Sequence, residues 1–366
     1  MAPSGDTAAD PAAKEIQIAT SVDGQKVTEG RQPSLRLVEL TKAYGDKVRV
    51  DHLNLSVYPG ELYALLGDNG AGKTTTISML TTLVKPTSGE FYLCGYNGIS
   101  ESEKTKGAFG VVSQDVSIYM ELTAYENLSF VADLYGIPRH KALPRIAELL
   151  EHSGLTERAN DLAGSFSGGM QRKLSIAAAL LHEPQVLFLD EPTVGLDPAS
   201  RRQIWFSLKE LKKRGVTILL TTHYLEEAEL LADRIGIIRK GRLVAEGTIE
   251  ELRDKIMGVR SIAIRLSRHV DENTLKAKLH QLRERFPVEV RRDHLRNTIS
   301  FSQPKDKALV SSLHHILDWL EEQQIPFSRF ATSEPNLEEV FLAVATDPTE
   351  LDEEMMREQE ADLDDY

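Results

Sequence analysis

The chain contains 366 residues, which is enough for two or three domains with a sizeable core. Hydrophobic residues make up 41% and charged residues 27%, an ordinary balance for a globular protein, and no apolar stretch is long enough to span a bilayer. The lone Cys94 excludes an intramolecular disulfide, and the formal net charge of −13 argues against non-specific nucleic-acid binding.

The first part of the chain changes from a polar segment to alternating strands and helices. Residues 1–33 have neither a lasting apolar period nor a signal-peptide core, and are predicted to form a flexible tail. Strand candidates follow at 35–40, 62–66, 109–113, 186–189 and 216–221, with helical stretches such as 124–135 and 142–152 between them and a closing hairpin at 235–245. Short apolar strands that alternate with helices predict an α/β fold with a parallel sheet covered on both faces.

The segment 66–75 reads Leu-Gly-Asp-Asn-Gly-Ala-Gly-Lys-Thr-Thr. It fills every fixed position of a phosphate-binding loop, with Gly67, Gly70, Gly72, Lys73 and Thr74. Glycines let backbone N–H groups point at phosphates, Lys73 can reach the β- and γ-phosphates, and the Thr74 hydroxyl can ligate Mg²⁺. A glycine-rich turn with a chance lysine is the alternative. The strand before the loop and the helix predicted after it favour nucleotide binding.

Carboxylates and a histidine end two of the predicted strands. Asp190 and Glu191 follow the apolar run 186–189, and His223 follows the run 216–221. Because parallel strands deliver their carboxyl ends beside the phosphate loop, we expect Asp190 to hold Mg²⁺, directly or through water, and Glu191 to polarise the attacking water. A neutral His223 can hydrogen-bond a γ-phosphate there. Without the loop, all three residues would be ordinary strand ends.

Ser167, Gly168 and Gly169 open a helix that is predicted to run to about Leu181. Ser167 is a favourable N-cap and the glycines leave N–H groups accessible, so the segment is a second anion-binding helix terminus. One chain does not need two cradles for a γ-phosphate. This favours a head-to-tail dimer in which the terminus completes the partner's site, and the alternative is a helix that is merely capped.

The pattern of apolar residues changes after about residue 258. Strands are predicted at 261–267, 288–292, 298–302 and 327–332, and helices at 272–285 and 305–324. The order βαββαβ is that of a small ferredoxin-like α+β domain, expected over 258–345, with a docking helix in its last residues. The segment 346–366 is strongly acidic and is predicted to be a disordered tail.

Six ordered motifs over about residues 35–253 resemble the nucleotide-binding domain of ABC transporters: 67–75, Gln114, 167–171, 190–191, 195–197 and His223. The resemblance implies a P-loop NTPase domain over 34–255, with a helical subdomain at about 115–182, that binds ATP and Mg²⁺ and hydrolyses ATP. It also implies roles for single residues. Gln114 is a Mg²⁺ ligand that couples the nucleotide to a membrane partner, Asp197 lies in the loop that crosses the dimer, and Tyr44 stacks on adenine. Further contacts with ATP are implied for Asp68, Asn69, Ala71 and Thr75, and catalytic roles for Glu191, His223, Gln114 and Lys73.

Three short stretches resemble type-2 exporter ATPases, which act on drugs, lipids or polysaccharides. They are the family signature at 166–170, the segment 195–198 and the segment 337–342. The signature has Met170 where the family usually has glutamine. Asp68 also departs from the family, which often has proline there, but both departures leave the phosphate-binding residues intact. The resemblance implies a separate integral-membrane permease, a homodimer or heterodimer of nucleotide-binding domains, and a location at the cytoplasmic face of a membrane. The alternatives are a soluble ABC-type ATPase that acts on ribosomes or DNA and a regulatory module without hydrolysis.

The segment after Gln114 is unusually apolar for a surface connection. It contains Ile118, Tyr119 and Met120, and the helix that follows starts with a possible capping box of Thr123 and Glu126. Clustered exposed apolar side chains are typical of a partner surface, so we expect this loop and helix to receive a short cytoplasmic helix of the permease. The alternative is that the three side chains fold inward as core.

Overall fold

The computed structural model describes residues 32–256, 259–267, 278, 289–293, 297–304, 309–333, 337, 338 and 341. The predicted N-terminal tail up to position 31 and the acidic segment 346–366 lie outside the described residues, as does the predicted helix 272–285 except for Lys278. Within the described part, no helix is both long enough and apolar enough to cross a bilayer.

Strands and helices alternate along the chain up to residue 256, and a smaller set of strands and one helix follows. The first half contains β1 (Leu35–Tyr44), β2 (Lys47–Val57), β3 (Leu62–Leu66), α1 (Lys73–Leu80), β4 (Ser88–Leu93), β5 (Tyr96–Asn97), α2 (Ser102–Lys106), β6 (Phe109–Val112), α3 (Ala124–Leu134), α4 (Arg139–His152) and α5 (Gly168–Leu180). The second half contains β7 (Val186–Asp190), α6 (Pro198–Lys213), β8 (Thr217–Thr222), α7 (Leu225–Leu231), β9 (Arg234–Arg239), β10 (Arg242–Gly247), α8 (Ile249–Ile256), β11 (Val259–Leu266), β12 (Glu289–Asp293), β13 (Thr298–Pro304), α9 (Leu309–Glu322) and β14 (Phe327–Ser333).

Six strands form the central sheet in the order β10-β9-β3-β8-β7-β6, and all neighbours except β10 and β9 run parallel. Every residue of β3 and β7 is buried. Both faces of these strands are covered, which explains why their sequences are apolar runs rather than alternating patterns. The predicted parallel sheet and the closing hairpin of β9 and β10 are confirmed.

A second sheet, which the sequence analysis missed, has four antiparallel strands in the order β2-β1-β4-β5. Strand β2 alternates apolar and polar residues, but its register with β1 shifts between Val50 and Leu53, where His52 has a φ of 49°. This irregularity interrupts the period of two and hides the strand. Phe91 of this sheet and Phe188 of the central sheet belong to one buried cluster, so the two sheets share a core.

Helices α3, α4 and α5 enclose a separate part of the core, to which each contributes a buried side chain: Leu128, Ile146 and Leu174. The predicted cap of α3 is confirmed as a complete capping box, in which the Glu126 N–H donates to Thr123 Oγ1 and the Thr123 N–H donates to Glu126 Oε2. Helix α4 begins three residues earlier than predicted, directly after Pro138, whose fixed φ suits a helix start. These helices form a layer beside β6 and β7.

The last described strands form an antiparallel sheet in the order β12-β13-β11-β14. All four predicted strands are present, and the second predicted helix corresponds to α9. Ile262 and Ile264 of β11 and Trp319 and Leu320 of α9 are buried together, so helix and sheet share a core of their own.

Leu337 lies after this sheet in the chain but packs against the central part of the protein. It is fully buried in a cluster with Leu252 of α8, Ala228 of α7 and residues of β3. Its N–H donates to Glu229 Oε1 at 3.0 Å, and Arg253 Nη2 lies 3.4 Å from the same oxygen. The chain therefore returns from its C-terminal sheet to the helix that follows His223.

Candidate nucleotide-binding site

The loop between β3 and α1 requires glycine at three positions, for two different reasons. An added Cβ at Gly67 would lie 2.4 Å from the Ile238 carbonyl oxygen, and one at Gly72 would lie 2.6 Å from the Arg49 carbonyl oxygen. Gly70 has open space around it but a φ of 81°, which side chains rarely adopt. Close packing and backbone conformation together fix a tight loop at the N-terminus of α1, where the helix dipole favours anions.

Lys73 is the first residue of α1 and is only 4% exposed. Its ammonium donates to the carbonyl oxygens of Gly67 at 2.6 Å and Asp68 at 3.0 Å, and lies 3.1 Å from Glu191 Oε1. A buried ammonium has three donors to satisfy, and these three oxygens match them. The lysine is therefore fixed inside the loop rather than free on its surface.

Glu191 stands at the end of β7 between two basic groups. One carboxylate oxygen faces Lys73, and the other lies 3.0 Å from Nδ1 of His223, which follows β8. Its backbone has a φ of 46°, in the left-handed region that a glutamate rarely adopts. The Glu191 N–H donates to Thr221 on the neighbouring strand, at 3.1 Å from the carbonyl oxygen and 3.2 Å from Oγ1. Parallel strands thus bring Lys73, Glu191 and His223 into one chain of contacts, as the sequence analysis expected of their positions.

Asp190, the residue before Glu191, is buried and accepts a 2.5 Å hydrogen bond from the Thr221 hydroxyl. The register of β7 and β8 pairs these two residues directly. The neighbouring hydroxyl orients the carboxylate and lowers the cost of burying its charge.

A cavity of about 630 Å³ opens in front of the loop. Seven of the predicted ligands other than Lys73 and Glu191 line it: Tyr44, Asn69, Gly70, Gly72, Thr74, Thr75 and Gln114. Tyr44 is half exposed, with Lys42 Nζ 4.7 Å from its ring centre. Gly67, Asp68 and Ala71 shape the loop instead, since Ala71 is buried in the core and its N–H donates to the Asp68 carbonyl oxygen.

Lys47 and Arg49 also line this cavity, and the sequence analysis did not identify them. Both belong to β2, the strand that its irregular register had hidden. They add two positive charges to a site that already holds Lys73, and a polyphosphate carries several negative charges. Their effect is therefore to raise the attraction of the cavity for a nucleotide.

The second predicted anion site lies elsewhere on the same chain. Ser167 caps α5, with its Oγ accepting from the Met170 N–H at 3.4 Å, and Gly169 is buried so closely against α6 that a Cβ there would lie 2.5 Å from Ser200 Oγ. Asp197 caps α6 through the N–H groups of Ala199 and Ser200, and its hydrogen bonds with Ser200 hold its pKa below the ordinary value. The nucleotide cavity described above is not lined by any of these four predicted ligands, Ser167, Gly168, Gly169 and Asp197.

Two buried charged residues near the site escaped the sequence analysis. Glu227 of α7 accepts hydrogen bonds from the Thr193 hydroxyl at 2.8 Å and from Trp205 Nε1 at 2.9 Å, and its burial raises the pKa of its carboxyl. It joins the segment after Glu191 to the helix after His223. Arg172 of α5 donates to the carbonyl oxygens of Ser113 and Gln114. Nothing in the local pattern of either helix distinguishes such residues from exposed ones.

The geometry defines a class of protein. A glycine-rich loop joins a buried strand to a helix, its lysine contacts a glutamate at the end of a parallel strand, and an adjacent strand adds a histidine. The loop, the lysine and the glutamate line one cavity and the histidine contacts the glutamate, which is the arrangement of a P-loop nucleotide hydrolase.

Comparisons with known proteins agree. The sequence profile of the ABC transporter family matches residues 50–194. The linearmycin resistance ATP-binding protein LnrL of Bacillus subtilis is 40% identical over 314 residues, covering 84% of this chain and 97% of LnrL. The daunorubicin/doxorubicin resistance ATP-binding protein DrrA of Streptomyces peucetius is 38% identical over 311 residues, covering 85% and 92%. A dimeric structure of the ATP-binding cassette MJ0796, in a post-hydrolysis state with ADP and Pi, superposes with a TM-score of 0.53 and 28% identity over 58% of this chain and 98% of that one.

The chain therefore belongs to the ABC transporter family, as one of its ATP-binding and ATP-hydrolysing subunits. The family fold expected from the six motifs is confirmed.

Replacing Lys73 with alanine is expected to abolish tight ATP binding. The cavity loses the cation that faces the phosphates, and the Kd should rise by roughly 100-fold, the effect of losing a charge-assisted contact of about 3 kcal/mol. Titration of the purified protein with a fluorescent ATP analogue measures this, and Lys104→Ala, which removes an exposed lysine paired with Glu101 at 2.9 Å, is the control. Near-native affinity in a folded Lys73→Ala protein would contradict the assignment.

Proposed function

We propose that this subunit forms an ATP-dependent dimer that drives a separate integral-membrane permease in exporting a drug, lipid or polysaccharide. One observation carries the proposal: the helix terminus at Ser167–Gly169, which is suited to bind an anion, does not line the nucleotide cavity of its own chain. Two copies arranged head to tail would place the terminus of one over the cavity of the other. LnrL and DrrA are both resistance ATP-binding proteins, which supports an export role and disfavours a soluble ATPase that acts on ribosomes or DNA. The subunit would then lie at the cytoplasmic face of the membrane, held there by the permease.

We infer the roles of the site residues from their contacts. A γ-phosphate attracted to Lys73 competes with Glu191 for the same ammonium. The carboxylate that is freed can accept a proton from the attacking water, which makes Glu191 the general base. His223, already 3.0 Å from this carboxylate, is close enough to hydrogen-bond the phosphate oxygens. Tyr44, half exposed at the rim of the cavity, offers its ring face to the adenine base.

The residues at the cavity fit a Mg²⁺ ion. Thr74 and Gln114 both line the cavity, and Asp190 supplies a buried carboxylate that the Thr221 hydroxyl orients. Hydroxyl, amide and carboxylate oxygens are hard ligands of the kind that Mg²⁺ prefers. We infer that these three residues would hold the ion, Asp190 directly or through water. When bound there, Mg²⁺ neutralises negative charge on the phosphates.

Glu191→Gln is expected to keep ATP binding but to lower turnover by at least roughly 100-fold, because the amide cannot accept a proton from water. If two chains close over ATP, the same variant should accumulate as a dimer, which light scattering with excess ATP and Mg²⁺ detects. The matched control is Glu210→Gln on α6, where the 40% exposed carboxylate pairs with Lys213 at 2.7 Å. A Glu191→Gln protein that stays monomeric under these conditions would contradict a homodimer and favour a heterodimer with a related subunit.

The apolar segment after Gln114 supports a permease-binding surface at Tyr119. The backbone of Tyr119 is fixed by Asn127, whose side chain accepts from its N–H and donates to its carbonyl oxygen. Its ring, 52% exposed, packs edge-to-face on the exposed Phe130 of α3, with ring centres 4.9 Å apart. An exposed aromatic pair on a rigid backbone is typical of a partner surface. Ile118 and Met120 differ from Tyr119, since Ile118 packs on the core and Met120 Sδ lies 3.6 Å from the Gln171 amide.

Tyr119→Glu is expected to uncouple the subunit from the membrane while sparing its ATPase activity, because a charge replaces an exposed contact. Met120→Glu, in contrast, should lower the melting temperature, since that partly buried side chain contacts Gln171 of α5. Co-sedimentation with membranes that contain the permease, ATPase assays and thermal melts separate the two effects. A matched control is Phe206→Glu on α6, an exposed aromatic away from this surface. If Tyr119→Glu lowers ATPase activity and melting temperature together, the coupling surface lies elsewhere.

We further infer that residues 258–345 form a ferredoxin-like accessory domain that regulates or stabilises the dimer. The strand order β12-β13-β11-β14 is that of the split βαβ unit, and its core is self-contained. Leu337 anchors the end of this domain on the ATPase core, in a buried cluster with Leu252 and Ala228. The accessory domain would therefore be in direct contact with α7, the helix after His223, through Leu337.

A chain that ends at Arg253 is expected to stay folded and to bind ATP with unchanged affinity. It loses the buried Leu337, so its melting temperature should fall by about as much as that of the full-length Leu337→Ala variant, which loses most of the same side chain. Thermal melts and ATP titrations on both proteins test this. Aggregation of the shortened chain beside a well-folded Leu337→Ala variant would show that the two parts form one inseparable core.

A further inference from the structure

Arg172 links the two functional regions that the proposed function assigns to different ATP sites. It lies on α5, five residues after Ser167, and is only 3% exposed. Nη1 and Nη2 each lie 2.5 Å from a backbone carbonyl oxygen, the first of Ser113 and the second of Gln114. One planar guanidinium therefore holds two successive carbonyls, which ties the backbone of the loop at Gln114 to α5.

The surroundings of Arg172 explain why an arginine is retained in a buried position. Burial lowers the pKa of the guanidinium, while the nearby carboxylates of Asp115 and Asp190 act in the opposite direction. The group is therefore a buried cation stabilised by two carbonyls and by the field of two acids. Its Nε is buried and has no hydrogen-bond partner among the described residues, which costs free energy that the two hydrogen bonds to carbonyl oxygens offset. A lysine could bond one carbonyl but not both in a fixed plane.

We propose that Arg172 is a positioning residue that couples the Ser167–Gly169 terminus of α5, at one ATP site, to Gln114 at the other ATP site. The inference rests on the proposed roles of Gln114 and of the Ser167–Gly169 terminus. In a head-to-tail dimer, α5 would face the partner's nucleotide while Gln114 faces the chain's own nucleotide and metal. A displacement of α5 when the partner binds ATP is then transmitted through the Arg172 guanidinium and its two hydrogen bonds to the backbone at Ser113 and Gln114.

The test is a double-mutant cycle in the full-length chain. Arg172→Met and Arg172→Lys are made in the natural sequence and in a Gln114→Ala background, and kcat, KM for ATP and melting temperature are measured for each. The matched control is Arg145→Met, because Arg145 also ties the helical layer together through a backbone carbonyl, with Nη2 donating to Leu180 at 3.2 Å, but it lies away from the cavity. Its loss reports what a merely structural arginine contributes.

Arg172→Met is expected to lower kcat by roughly 10- to 100-fold in the natural sequence, the range that misplacement of a site residue produces, with a smaller change in KM. In the Gln114→Ala background the further loss should be less than about twofold, because the group through which Arg172 acts is already gone. Arg172→Lys should restore part of kcat, and Arg145→Met should change the melting temperature without changing kcat.

The inference about Arg172 would be overturned, with the proposed function intact, by either of two results. One is an equal loss of kcat in both backgrounds. The other is an Arg145→Met variant with the same melting temperature and the same loss of kcat as Arg172→Met. An unchanged kcat in Gln114→Ala itself would overturn both the inference and the proposed role of Gln114. Failure of the dimer or of permease binding appears in the light-scattering and membrane assays instead, so the outcomes are distinguishable. If Arg172→Met does not fold, the cycle with Arg172→Lys decides, because the retained charge keeps the buried site compensated.

Discussion

The buried ion pair between Lys73 and Glu191 is the interaction on which the rest of the site depends. Only 4% of the Lys73 side chain and 7% of the Glu191 side chain are exposed, so each charge requires the other or a substitute of the opposite charge. The loop backbone satisfies the remaining donors of Lys73, and His223 occupies the second oxygen of Glu191. A nucleotide phosphate is such a substitute for Lys73, and its arrival changes the electrostatic environment of Glu191 without requiring a large movement of the backbone.

The architecture follows from the need to hold these groups together. Lys73 lies 118 residues before Glu191 and 150 residues before His223, yet the three residues follow β3, β7 and β8, which are consecutive parallel strands of one sheet. Covering both faces of that sheet makes its strands rigid, while the antiparallel sheet and the helical layer each contribute to the cavity or its surroundings. Arg172 and Glu227 then fix the connecting segments to this frame, through the loop of Gln114 and the turn after Glu191 respectively.

The sequence predicted the parts of the site that depend on local pattern. Wholly apolar strands and a glycine loop are recognisable because burial on both faces and close backbone approach leave few residue choices. It did not predict β2, whose irregular register hides its alternation, and therefore missed Lys47 and Arg49 in the cavity. Arg172 and Glu227 were missed for a different reason. A charged residue on a helix is normally exposed, and only long-range packing makes these two buried partners of distant backbone and side chains.

The positive φ of Glu191 has a consequence for anyone who selects variants of this protein by thermal stability. A non-glycine residue in the left-handed region costs of order 1–3 kcal/mol, and glycine or asparagine tolerates that conformation better. Glycine at this position would relax the backbone but would leave the buried Lys73 ammonium without its carboxylate, which costs about 3–5 kcal/mol and outweighs the relief. A screen that rewards heat resistance alone would therefore retain the glutamate for its ion pair, whether or not the selected protein hydrolyses ATP.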